Sequence, residues 1–232
     1  MSLIIKSVPY HLQVYEIIKE KILTGELESG ERIYENKISQ ELGVSRSPVR
    51  EALRMLEQDE FLALTSSGLI VNPMDFEDME EIYQCRMAVE PFAAKLSVSK
   101  FDQESIEELQ ECVNKAKEYH ATKQFNKVIE ANTWFHNLIV RKCENSRLKS
   151  FIEKIGFLAI LSRVSEFQCY QRDEDYLEEH QAVVNALKAG DEDLVEVTLR
   201  NHIENDLTFY KRKYMEKEAC QKPLDSNTNL ID

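Results

Sequence analysis

Arg46, Arg50 and Arg54 recur at every fourth position in the run Ser45-Arg46-Ser47-Pro48-Val49-Arg50-Glu51-Ala52-Leu53-Arg54-Met55-Leu56-Glu57. On a helix that spacing stacks three guanidinium groups along one side. Val49, Ala52, Leu53 and Leu56 follow the i, i+3, i+4, i+7 rule and line the other side. Ser45 or Ser47 can cap the start, and Pro48 is tolerated in a first turn whose N–H groups have no intrahelical partner. An arginine fork donates in pairs to guanine N7 and O6 and also grips phosphates. The Ser45 and Ser47 hydroxyls at the helix N-terminus suit a backbone phosphate. The ordinary alternative is a solvated arginine face on an amphipathic helix, and for a helix standing alone it would be the better reading.

A second set of residues has metal-ligand chemistry. His136, His180 and His202 fall on three different predicted helices, and Asn132 lies one turn before His136. Three imidazoles from facing helices can close a site around a divalent ion. By spacing alone the signal is weak, since a histidine on a helix is usually a satisfied polar residue. Glu179 adjoins His180, but neighbouring helix positions point roughly 100° apart, so it is poorly placed as that residue's partner. Arg86 precedes Glu90 by one turn, and by itself it reads as half of a surface salt bridge with Glu90 or with Glu81.

The elements that must position these residues follow from periodicity and punctuation. Helices are predicted over 9–24, 35–42 and 45–59, with Gly43 as the left-handed residue of the turn between the last two. Residues 61–65 and 69–71 read as two strands around a Ser66-Ser67-Gly68 turn. Helix, helix, turn, helix and hairpin is the order of a winged helix-turn-helix. After Pro73-Met74-Asp75 only helices are convincing, over 76–98, 103–122, 125–143, 146–169, 174–189 and 192–217. Asp75, Asp102, Asn145, Asp173 and Asp191 stand ready as N-caps, and Gly190 closes the fifth. The expected fold is mainly α: a winged helix-turn-helix over 1–73, an antiparallel all-α bundle of about six helices over 74–220, and a disordered polar tail over 221–232.

Composition limits the alternatives. The chain has 232 residues and a formal net charge of −13. Residues 37–54 nevertheless carry Lys37, Arg46, Arg50 and Arg54 against Glu41 and Glu51, a basic patch on an acidic body. The five cysteines are scattered with no C-x-x-C pair, which suggests free thiols in a reducing cytoplasm rather than a disulfide framework or a thiolate zinc site. No apolar run is long enough for a membrane span, and the opening Met1–Ile5 stub does not read as a signal peptide.

Residues 12–73, above all Ser29-Gly30-Glu31-Arg32, the run Glu41-Leu42-Gly43-Val44-Ser45-Arg46-Ser47-Pro48-Val49-Arg50-Glu51-Ala52-Leu53 and Gly68, resemble the GntR family of bacterial transcription regulators. The resemblance implies a winged helix that binds a short palindromic DNA operator as a homodimer. It maps recognition onto Arg46 and Arg50 with Ser45, Ser47 and Gly68, the wing tip adding Ser67, and Arg32 and Arg54 as further contacts. Asn36 departs from the pattern, since some relatives carry a DNA-contacting arginine there. Asn132-x-x-Phe135-His136, Glu179-His180 with Ala186-Leu187-x-Ala189-Gly190-Asp191, and Arg200-x-His202 resemble the FCD effector domain of the FadR branch. That likeness implies a divalent metal (zinc, nickel or manganese) on Asn132, His136, His180 and His202, with Asn132 standing where an Asp is usual. It also implies a small organic acid effector met by Arg86, with Arg163 as a further candidate. The expected function is a cytoplasmic transcription regulator, a repressor, and not an enzyme. The rivals are a metal-dependent enzyme, for which no G-x-S-x-G, H-E-x-x-H or phosphate-cradling loop is present, and an effector-independent DNA-binding or interaction protein.

Overall fold

The computed structural model describes residues 8–73, 75–169, 172 and 175–221, apart from the side chains of 125, 157, 160–169 and 217–221. The run with an arginine side and an apolar side is helical, Arg46–Gln58 (α3), and follows helices Tyr10–Leu23 (α1) and Glu35–Leu42 (α2). Val49, Ala52, Leu53 and Leu56 of α3 are buried against Val14, Ile18 and Ile22 of α1, with Phe61, Leu62 and Val71 completing the core. Gly43 ends α2 in the left-handed region at φ 65°, where a side chain would be strained. The turn is tightened by Ser39, whose hydroxyl donates to the Val44 carbonyl at 2.6 Å.

Strands Leu62–Thr65 (β1) and Gly68–Val71 (β2) pair antiparallel, Leu62 opposite Val71 and Thr65 opposite Gly68. A third segment, not anticipated from the sequence, lies beside β2. Gly30 N–H donates to the Val71 carbonyl, Val71 N–H to Glu31 and Ile33 N–H to Leu69. This ties the wing to the chain entering α2.

Helices Phe76–Ser97 (α4), Gln103–Ala121 (α5), Phe125–Lys142 (α6), Ser146–Cys169 (α7), Asp175–Ala189 (α8) and Glu192–Gln221 (α9) follow, with a short 3-10 turn at Val98–Lys100. α4 packs on α9, α5 on α6 and α8, α8 on α9, and α7 on α4 and α6. Four of the expected caps form. Asp75 makes a capping box with Asp78, Asp102 accepts from Ser105 N–H, Asn145 from Leu148 N–H and Asp191 from Leu194 N–H. Asp173 and the 222–232 part of the tail lie outside the described residues.

α4 contains Pro91, buried in the helix interior. Proline has no N–H for the carbonyl four residues back, which is that of Met87. Arg200 of α9 supplies the missing donor, its Nη1 reaching Met87 O at 2.8 Å. The break in one helix is therefore closed by its neighbour, and α4 and α9 are fixed in register where they cross.

Candidate functional site

Two places gather the residues with chemistry. The first is the outer face of α3. Its apolar side is consumed by the core, so Arg46, Arg50 and Arg54 are exposed together. Ser45 is the N-cap by position, yet its hydroxyl makes no capping bond, contrary to the expectation that Ser45 or Ser47 caps the helix. The first-turn N–H groups thus receive no side-chain cap from Ser45, an arrangement that suits an anion. Arg46 and Arg54 carry no ion pair among the described residues, whereas Arg50 donates through Nε and Nη2 to the two carboxylate oxygens of Glu35 at 3.2 and 3.0 Å.

At the wing, Thr65 Oγ1 holds the turn. It lies 2.8 Å from Ser67 Oγ, donates to the Gly68 carbonyl at 2.8 Å and accepts from Ser67 N–H at 3.2 Å. Gly68 has φ 122°, and a Cβ there would stand 3.0 Å from Arg32 Nη2. The missing side chain is what lets the Arg32 guanidinium lie across the wing, with its other neighbour the Tyr34 ring at 5.3 Å. Asn36 is exposed on α2.

The second place is inside the bundle, where the three histidines meet. His202 Nε2 lies 3.0 Å from His180 Nε2 and 3.3 Å from His136 Nε2. All three side chains are buried, His180 with 1% of its surface exposed. Each of two rings is anchored by a carboxylate at its other nitrogen: His136 Nδ1–H donates to Glu90 Oε2 at 3.0 Å, and His202 Nδ1–H to Glu179 Oε2 at 2.8 Å. A carboxylate at Nδ1 keeps the proton there and turns an Nε2 lone pair toward the common centre. Lone pairs that close repel one another unless a proton or cation lies between them. The neighbouring Asn132 Oδ1 is buried and has no hydrogen-bond partner among the described residues. Three imidazole nitrogens and an amide oxygen form a donor set that fits a divalent cation.

The cavity beside these rings is small, about 10 Å³ of space for a water-sized occupant, and is walled by the three histidines with Asn132, Arg172, Tyr176, Asp206 and Tyr210. Arg172, in the α7–α8 connection, is almost wholly buried. It pairs with Asp206, donates to Glu179 Oε1 at 2.8 Å and lies 3.4 Å from Asp175. Arg86 stands behind Glu90 rather than in the cavity wall, with Nε donating to Glu90 Oε1 at 2.7 Å. The pair is buried, not on the surface, and Arg86 Nη1 and Nη2 have no hydrogen-bond partner among the described residues, although the guanidinium lies 4.7 Å from the Tyr83 ring centre. Burial alone would raise the Glu90 carboxyl, but Arg86 and His136 overcome this and hold it well below the usual carboxylate range. The Arg163 side chain lies outside the described residues.

The structure brings together Asn132, His136, His180 and His202 in one place and Arg46, Arg50 and Arg54 in another. Glu35, Arg172 and Asp206 were missed, because their partners are distant in sequence, and Glu90 was read only beside Arg86, without its contact to His136. Glu179 was considered only beside His180, and it serves His202 instead. Periodicity marks which face a residue occupies, not what crosses to meet it.

Residues 11–67 match the model of the bacterial regulatory proteins of the gntR family, and residues 81–205 match the FCD domain. The HTH-type transcriptional regulator YdhC of Bacillus subtilis (strain 168) is 31% identical over 89% of this chain and 93% of its own. The gluconate operon transcriptional repressor of Bacillus licheniformis is 29% identical over 81% of this chain and 79% of its own. The solved structure of E. coli McbR/YncC has the same fold, with a TM-score of 0.78 at 23% identity over 90% of this chain and all of that one.

Proposed function

The chain belongs to the gntR family of bacterial regulatory proteins, transcription regulators rather than enzymes, and from that premise we propose that it is a cytoplasmic repressor whose hold on a palindromic operator is set by a small organic acid in the FCD cavity. The observation that carries the DNA half is the α3 face, with three arginines exposed on a helix whose whole apolar side is buried. One such helix covers a half-site, so a homodimer reads the two halves. Arg46 and Arg50 would contact base edges, and Ser45, Ser47, Arg54, Arg32 and the wing residues Ser67 and Gly68 the backbone. The repressor reading is supported by similarity to proteins named as repressors of the gluconate operon.

For the cavity, charge balance supports a metal with an anionic ligand. Three carboxylates (Glu90, Glu179, Asp206) stand against two guanidinium groups (Arg86, Arg172), so neutral histidines leave negative charge in excess at a buried place. Buried charge is costly unless compensated. Asn132, His136, His180 and His202 would hold zinc, nickel or manganese. When bound, that ion supplies positive charge and a coordination position for a carboxylate. Arg172 would face the same ligand from the wall, while Arg86, expected from the sequence to meet the effector, stands behind Glu90 and would act only by holding that carboxylate against His136. The effector acts if it binds better to one of two arrangements of the paired recognition helices.

Selection from a random duplex library tests the DNA reading. The protein should enrich a two-fold symmetric sequence, and Arg46→Ala should weaken binding to it by about 1–3 kcal/mol. Failure to enrich any sequence would overturn it. Elemental analysis should find about one divalent ion per chain, as a single closed ligand set requires. No ion, and no thermal shift with zinc, nickel or manganese, would overturn the metal reading.

A further inference from the structure

Glu35 is the first residue of α2 and spans to α3 to bind Arg50 through both carboxylate oxygens, at 3.0 and 3.2 Å. Its own mounting is firm. Ile38 and Leu42 set α2 into the core, and Glu41 pairs with Lys21 of α1. The contact occupies the Nε–Nη2 edge of the guanidinium and leaves Nη1 outside it. The Arg50 side chain is 72% exposed. An exposed pair of this kind contributes little to stability. A carboxylate beside a phosphate-binding face also opposes DNA. Neither stability nor affinity therefore accounts for an acid at this place, whereas orientation does, because an arginine pinned along one edge can present its donors in a single direction.

We propose that Glu35 is a positioning residue that fixes the direction in which Arg50 meets DNA, and so trades affinity for sequence discrimination. The inference rests on the reading of α3 as the DNA face. It predicts opposite changes in two quantities, which a loss of structure would not give.

The test uses full-length protein, the duplex enriched from the random library, its single-base variants and a duplex of unrelated sequence. Glu35→Gln should bind the unrelated duplex roughly threefold more tightly at low salt, because a negative charge near the phosphates is gone. At the same time it should lose about tenfold in discrimination at the base position that Arg50→Ala also relaxes. The double variant should discriminate no worse than Arg50→Ala alone. Equal weakening on both duplexes would mean only structural damage and would overturn the proposal. So would a Glu35→Gln protein that enriches the same sequence with unchanged stringency. A wild-type protein that enriches nothing overturns the DNA reading, and this inference with it.

Discussion

Glu90 pairs with the buried Arg86 guanidinium behind it and accepts from the His136 ring before it. Removing one member of a buried pair leaves the other uncompensated, typically at about 3–5 kcal/mol, whereas replacing both by apolar groups is often neutral. Urea unfolding should therefore show Glu90→Gln destabilised by about 3 kcal/mol and Arg86→Met/Glu90→Met by much less. Asn132 poses a different question, since an amide oxygen can ligate a metal but brings no charge. Asn132→Asp should raise affinity for manganese more than for nickel or zinc, because manganese depends most on carboxylate oxygen. Equilibrium competition with a chelator measures this, and equal gains for the three metals would argue against Asn132 as a ligand. The sequence presented the three histidines and Asn132 as candidates but not Glu90 or Arg172. The Glu90–His136 pair spans 46 positions and Arg172–Asp206 spans 34, and no local pattern records such pairings.

At the scale of elements, local rules served well where local physics decides. Asp75, Asp102, Asn145 and Asp191 each cap the helix they precede. Gly43 takes the left-handed conformation the turn requires. The segment from Gly30 to Ile33 was not anticipated as a strand, since four residues without alternation carry no strand signal. It became an extra partner of β2 through tertiary contact. The helix over 76–98 was predicted without its weak point, which Pro91 creates and Arg200 repairs. Arg200→Ala should expose that defect and cost about 1–2 kcal/mol, since it strands a partly buried carbonyl. Pro91→Ala restores the backbone donor, so in its presence Arg200→Ala should cost markedly less. A double-mutant cycle by thermal or urea denaturation reads the coupling, and additive effects would refute it.

At the scale of the molecule, the acidic body and the basic helix face divide the surface between repelling DNA and gripping it. A dimer doubles that face while keeping the same spacing of half-sites. Light scattering should give twice the chain mass of 27.1 kDa, and a monomer at operator-binding concentrations would count against a palindromic target. The histidine cavity lies inside, with His136, His180 and His202 all under a tenth exposed. Burial of that kind has a consequence in time. If an occupant passes only when the bundle opens locally, its exchange is far slower than diffusion. Exchange is then governed by the opening rate rather than by concentration outside, so the occupancy of the cavity at any moment records the recent past of its surroundings. A brief fluctuation leaves no mark, and only a change that outlasts the openings is passed on.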